Sequence, residues 1–282
     1  MKHIFNIGFL LVLFSVAGQS IEDLESKLIK SLEVVHFEKD FEKALQYNQD
    51  FKLLLSNTLK KSEAFHHNFD SLSMFMSTVK SPDNAFRLFN WNIQLENQEQ
   101  HYECWILFPD KSIIKLIDTK DDKHNIEFMS LTKNSWFGAL YFDIISKQKK
   151  NKTIYTLLGW DGNDMFSNKK VIETLIFNKK KIVQFGLPVF KYPDGKNKRR
   201  VIFQYNKESY MSLKHNYLKR ESYIVFDHLT PTSPNLKDFP EWYVTDLSFD
   251  AFKWKDNNWI FLRDFDAKSL KSFKKPFNDQ NK

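Results

Sequence analysis

From Ile21 onward, apolar and polar positions follow two different periods. Leu24, Leu28, Leu32 and Val35 recur at spacings of three and four, which gathers side chains on one face of an α-helix. Ser20 offers a capping hydroxyl, and Glu22 and Asp23 put negative charge on the first turn, where the backbone amides lack partners. A second helix is predicted over about 40–59, on Phe41, Ala44, Leu45 and Leu55, and a third, shorter one over about 63–78. No Gly or Pro stands between Gln19 and Ser81, which agrees with a helical unit.

At "SPDN" (81–84) the period changes. Pro82, Asp83 and Asn84 form a turn signal. From there to about residue 265 the chain reads as thirteen short runs rich in Phe, Tyr, Trp, Ile and Val, separated by polar breaks. The last two, in "FKWKDNNWIF" (252–261), predict a hairpin turning at 256–258. Strands in succession without intervening helices favour antiparallel pairing. The expected fold class is α+β, with a small helical region (21–79) followed by a large antiparallel β domain (80–269) and a polar tail (270–282). A bent sheet or sandwich is the first architecture. A small β-propeller is the alternative, although no loop chemistry recurs at a fixed period.

The first twenty residues have a separate character. Lys2 and His3 precede the mostly apolar run 4–16, and small residues follow at Ser15, Ala17, Gly18 and Ser20. The run is shorter than the roughly 20 residues that span a bilayer and matches a cleavable signal peptide. The expected localisation is therefore export, periplasmic or secreted. No later stretch is long and apolar enough to read as a membrane helix. Cys104 is the only cysteine, so no disulfide forms within the chain. In "HYECWILF" (101–108) it shares a strand face with Tyr102, Ile106 and Phe108 and reads as a small core residue.

Charge is unevenly spread. The chain carries +7 overall, while residues 21–80 hold ten acidic and eight basic side chains. With Lys2 set aside, residues 81–282 carry +8. Three basic clusters, at 147–152, 178–181 and 196–200, fall between apolar runs and read as solvated loop tips. The functional reading is attraction to an anionic surface such as envelope polysaccharide. Nucleic acid is not the expected partner of an exported protein.

The candidate chemistry is sparse. "YTLLGWDGND" (155–164) ends a strand in Trp160, Asp161, Asn163 and Asp164. Counted as a calcium loop from Asp161, it places Asn163 at position 3, but Met165 at 5, Phe166 at 6 and Ile172 at 12, so the pattern fails. The preferred reading is a turn freed by Gly162, with Trp160 on the core face beside Leu158. Asp227 and His228 are the other binding candidates. As strand neighbours they point to opposite faces, so each needs a partner elsewhere. His66 and His67 do not converge on a metal either, being roughly 100° apart on a helix. Asp246, Asp250, Asp264 and Asp266 qualify as carboxylates only by lying near predicted strand ends. The chain lacks G-x-S-x-G, P-loop, H-E-x-x-H and G-x-G-x-x-G patterns. No metal, cofactor or catalytic residue is assigned.

Four segments, "SPDNAFRLFNWN" (81–92), "LLGWDGN" (157–163), "IVFDHLTP" (224–231) and "SFDAFKWKDNNW" (248–259), together resemble an uncharacterised family of exported bacterial proteins with no assigned activity. "IQLENQEQ" (93–100) stands where that family has a glycine-rich turn. The resemblance implies a bacterial envelope or secreted protein and assigns no residue a role. The sequence thus leads to an extracytoplasmic, non-enzymatic binding or interaction protein, its partner an envelope polysaccharide or an envelope protein. The alternative is a hydrolase acting on envelope or extracellular polysaccharide through paired carboxylates.

Overall fold

The computed structural model describes residues 18–95, 98–119, 125–149 and 152–267. Most of the expected signal peptide (1–17) and the polar tail lie outside the described residues. Two helices come first, α1 (Ile21–Phe37) and α2 (Phe41–Thr58). Ser20 Oγ accepts from the Asp23 amide at 3.1 Å, and Asp40 Oδ1 caps α2 through the Lys43 amide at 3.1 Å. Leu24, Leu28, Leu32 and Val35 are all buried, as their spacing requires.

The predicted third helix does not form. Residues 60–80 make turns and one short 3₁₀ segment, Leu72–Met74. Buried polar groups claim this backbone instead. Glu25 on α1 accepts from the amides of Ser71 (2.9 Å) and Leu72 (3.0 Å). Arg87 donates to the carbonyls of His67, Asn68 and Thr78. Isolated bridges Ser77–Asn90 and Lys80–Arg87 then tie the segment to the first strand.

Among the described residues the named strands pair antiparallel, except where Asn258–Leu262 meets Phe190–Lys191. Strands β1 (Arg87–Gln94), β2 (Gln100–Leu107) and β3 (Ile113–Ile117) form the first sheet in sequence order. A second sheet follows, from β4 (Leu131–Thr132), β5 (Leu140–Lys149), β6 (Lys152–Asp161), β7 (Ser167–Phe177) and β8 (Val183–Phe185), in spatial order β4-β8-β7-β6-β5. The chain then places β9 (Phe190–Lys191) and β10 (Asn197–Lys198) in a third sheet. It returns β11 (Arg200–Asn206) to pair with β7. Finally β12 (Leu213–Leu218), β13 (Glu221–Pro231), β14 (Tyr243–Lys255) and β15 (Asn258–Leu262) complete the third sheet, where β15 meets β9 in parallel. The expected strand at 126–131 is instead a 3₁₀ turn, Ile126–Phe128, leading into two-residue β4. Asn125 at φ +62° opens that turn, and the Glu127 carbonyl and carboxylate are taken by the amides of Arg199 and Ile202.

These pieces stack as four layers: helices, then three curled sheets. Phe51 and Leu55 of α2 pack on Phe89, Trp91 and Trp105, one face of the first sheet. Its other face, with Leu88, Cys104 and Ile106, packs on Ile144, Leu157 and Leu175 of the second. The far face of the second sheet, with Ile145, Leu158 and Ile172, packs on Ile224, Phe226, Phe252 and Trp259 of the third. Stacked layers replace the alternative of propeller blades around an axis. Cys104 is fully buried, and desolvation pushes its thiol well above the usual range, so it behaves as a core residue.

Candidate functional site

At the end of β6 the "DGND" loop folds on its own polar groups. Asp161 Oδ1 accepts from the Asn163 amide at 2.8 Å. Asp164 Oδ1 accepts from the amides of Phe166 and Ser167, each at 2.8 Å, and Asp164 Oδ2 from Asn163 Nδ2 at 2.6 Å. These are turns in which aspartate side chains stand in for backbone acceptors. The left-handed residue is Asn163, at φ +42°, and not Gly162. Gly162 is needed for close approach, since a Cβ there would lie 2.9 Å from the Trp160 ring and 3.0 Å from Gln100. Trp160 is half-buried and belongs to none of the core clusters, so it is less enclosed than the Leu158 face suggested.

The loop forms one wall of a cleft of about 390 Å³. Gln100 and Tyr102 of β2, with Glu99 just before that strand, form another, and Asp118 and Thr119 lie just beyond β3. Ile126, Phe137 and Ile202 supply an apolar side, and Lys169 sits at the polar rim with its Nζ 2.5 Å from Asn163 Oδ1. Tyr102 joins the walls. Its hydroxyl donates to Asp161 Oδ1 at 2.9 Å and accepts from the Gly162 amide at 2.8 Å, while its own amide donates to Asp118 Oδ2 at 2.9 Å. Burial, and then the Asp161 charge, hold the Tyr102 phenol well above its ordinary range, so it stays a neutral donor. The Asp118 side chain is 1% exposed and packs over Gly138, whose φ is +84° and whose missing Cβ would fall 2.6 Å from Asp118 Oδ1. Only glycine fits there.

A buried polar network supports the apolar side. Arg200 and Glu173 are both 0% exposed and paired, with Nε–Oε2 2.7 Å and Nη2–Oε2 2.6 Å. The Tyr141 hydroxyl donates to Glu173 Oε1, and Trp136 Nε1 donates to that hydroxyl at 2.7 Å. Arg200 also donates to the Ile126 carbonyl at 2.8 Å and lies over the Phe137 ring at 5.6 Å. Two residues of the apolar wall therefore rest on one guanidinium. Arg200 was expected on a solvated loop tip with the 196–200 cluster, and its burial corrects that reading for this residue.

The chain matches no protein-family model and no curated protein.

Asp227 and His228 lie elsewhere, on β13, and neither lines the cleft. A bulge falls between Asp227 and Leu229, opposite Asp246–Ser248 of β14. Asp227 Oδ2 accepts from the Ser212 amide at 2.7 Å. His228 Nδ1 pairs with Asp250 Oδ2 at 2.8 Å, and the other Asp250 oxygen accepts from the Asp264 amide at 3.0 Å. The two neighbours thus find separate partners, as strand geometry requires. Asp250 is buried within β14 rather than at a strand end. Among the described residues, no group of three His, Cys, Asp or Glu side chains could hold a metal ion.

Of the six predicted binding residues, Asp161, Asn163 and Asp164 line the cleft together. Glu99, Gln100, Tyr102, Asp118 and Lys169 complete its polar surface and were not anticipated. Their only sequence signal is the tyrosine at 102, a polar tip on an otherwise apolar strand face, where buried hydroxyls demand partners.

Proposed function

We propose that this protein binds a small polyhydroxylated ligand outside the cytoplasm, with the cleft between β2 and the 161–164 loop as its site. The supporting observation is the cleft's makeup. Carboxylates, amides and one lysine crowd one side, an apolar wall forms the other, and the volume suits a small ligand. Such a set accepts and donates to many hydroxyls at once, so a neutral or weakly cationic sugar unit of an envelope polysaccharide is the fitting class. Export rests on the N-terminal segment and on the resemblance carried by the four motifs. No helix among the described residues is long and apolar enough to cross a membrane.

The test is thermal unfolding against a panel of glycans, with Ile202→Trp as a variant that fills the apolar side and keeps every polar group. A ligand at 100 times its dissociation constant adds about 2.7 kcal/mol of stability, seen as a raised midpoint in the parent chain and not in the variant. No response to any glycan, or an equal response in the filled variant, overturns the proposal.

A second reading, a hydrolase, rests on Asp118 and Asp161 bonding to the two ends of Tyr102 and lining one cleft. It requires release of reducing sugar that disappears in Asp118→Asn and in Asp161→Asn.

A further inference from the structure

Strand β6 runs ten residues from the cleft back to its hairpin with β5, or about 30 Å at 3.3 Å per residue. Three hairpin ends lie together there. In the β5–β6 hairpin Lys149 faces Lys152 across the ladder. Lys147 of the same hairpin reaches across to the next sheet, its Nζ 5.1 Å from the centre of the Tyr217 ring on β12. Tyr217 leads into the β12–β13 turn, Lys219-Arg220. Beside that turn, Lys253 of β14 pairs with Glu221 at 2.7 Å, and Lys255 opens the β14–β15 turn. The acids on these hairpin ends are Glu221 and Asp256, and Glu221 is already engaged.

The two turns of the third sheet make an internal comparison. Both are two-residue turns with positive φ at each central position: Asp256 (+49°) and Asn257 (+59°), Lys219 (+51°) and Arg220 (+69°). Asp and Asn tolerate that conformation, whereas long side chains adopt it at a backbone cost. The β12–β13 hairpin therefore presents two cations where a turn chosen for stability alone would carry Asn-Gly. A strained backbone retained at one place points to a role for what it displays. Tyr217, 65% exposed, adds an aromatic surface, with the Lys147 ammonium over its ring and the His215 ring edge-on at 4.7 Å.

We infer that this end of the molecule docks an anionic polysaccharide, with Lys219 and Arg220 meeting carboxylate or sulfate groups and Tyr217 stacking on a sugar ring. The inference does not rest on the cleft reading, because the two places are at opposite ends of β6.

The experiment measures binding of the full chain to dextran sulfate, polygalacturonate, neutral dextran and double-stranded DNA over a salt series. The two acidic polysaccharides should bind, neutral dextran should not, and salt should weaken binding. The variant Lys219→Asn/Arg220→Gly should weaken binding on the order of thirtyfold, at about fivefold per cation near an anionic surface, and should also raise the melting temperature. That opposite movement separates lost binding from lost folding. Tyr217→Ala should weaken polysaccharide binding with the salt dependence kept. Unchanged binding in the double variant, equal binding of neutral dextran, or DNA bound more tightly than either polysaccharide would each overturn the inference.

Discussion

Replacing Glu173 with Gln tests whether the buried pair beneath the cleft holds the second sheet together. The carboxylate accepts two guanidinium contacts, at 2.7 and 2.6 Å, as well as the Tyr141 hydroxyl. Gln keeps the shape and one acceptor but removes the charge, leaving Arg200 ionised and 0% exposed. Removing one partner of a buried pair costs about 3–5 kcal/mol, against a total stability of about 5–15 kcal/mol for a typical domain. At about 2–4 °C per kcal/mol for a chain near this size, the midpoint should fall by about 6–20 °C. Thermal unfolding followed by tryptophan fluorescence reads that shift, because Trp91, Trp105, Trp136 and Trp259 are fully buried. The double variant Glu173→Leu/Arg200→Met removes both charges and should recover much of the loss. It still leaves the Tyr141 hydroxyl and the Ile126 carbonyl short of a partner, at about 1–3 kcal/mol each. A loss below about 1 kcal/mol in Glu173→Gln, or a double variant no better than the single, would refute this account.

Three further outcomes follow from the same geometry. Burial raises the Asp227 carboxyl, despite the Ser212 amide that favours its charge, so ionisation costs stability above the unfolded carboxyl pKa, near 3.9. Asp227→Asn, which keeps an acceptor for that amide, should raise the urea midpoint at pH 7 and leave it nearly unchanged at pH 3; a lower midpoint at pH 7 contradicts the assignment. Gly138→Ala forces a left-handed alanine with its Cβ against Asp118, for a loss of about 1–3 kcal/mol, and should weaken glycan binding by displacing that carboxylate. For Glu103, burial acts to raise the carboxyl, but His101, 3.9 Å away, and the Lys52 ammonium at 2.7 Å outweigh it and the net shift is downward. Its stabilising contribution is present above the unfolded carboxyl pKa, near 4.3, and is lost as pH falls through the lower folded value. The stability gap between parent and Glu103→Gln should therefore close on acidification, and a constant gap from pH 7 to pH 3 argues against the ion pair.

The helices and most strands were legible because their periods are local. Leu24, Leu28, Leu32 and Val35 announce a buried face, and Asp256-Asn257 announce a hairpin. The missing third helix was not legible, because its competitors are Glu25 and Arg87, far away in sequence. Layer order was hidden for a related reason. Residues 154–159 of β6 are buried on both faces, which erases the alternation that assigns a strand to one side. The cleft was half visible. The 161–164 loop reads as polar from sequence, but Asp118 and Lys169 look like ordinary strand-end residues until Tyr102 and Asn163 bring them in.

The path by which β11 reaches β7 also bears on the chain as it is made. Residues enter the second sheet through β8, leave for β9 and β10, and come back for β11. Synthesis from the N-terminus therefore delivers Glu173 before its cation at position 200 exists. Until then the middle of β7 presents an unmatched carboxylate and an open ladder edge, the condition in which nascent β proteins associate wrongly. A ribosome-bound chain halted between β8 and β11 should be captured by chaperones, and one extended past β11 and its exit-tunnel allowance should escape them. The same interleaving means that cutting the gene between the second and third sheets yields no self-sufficient half, since each side would carry part of the other's sheet.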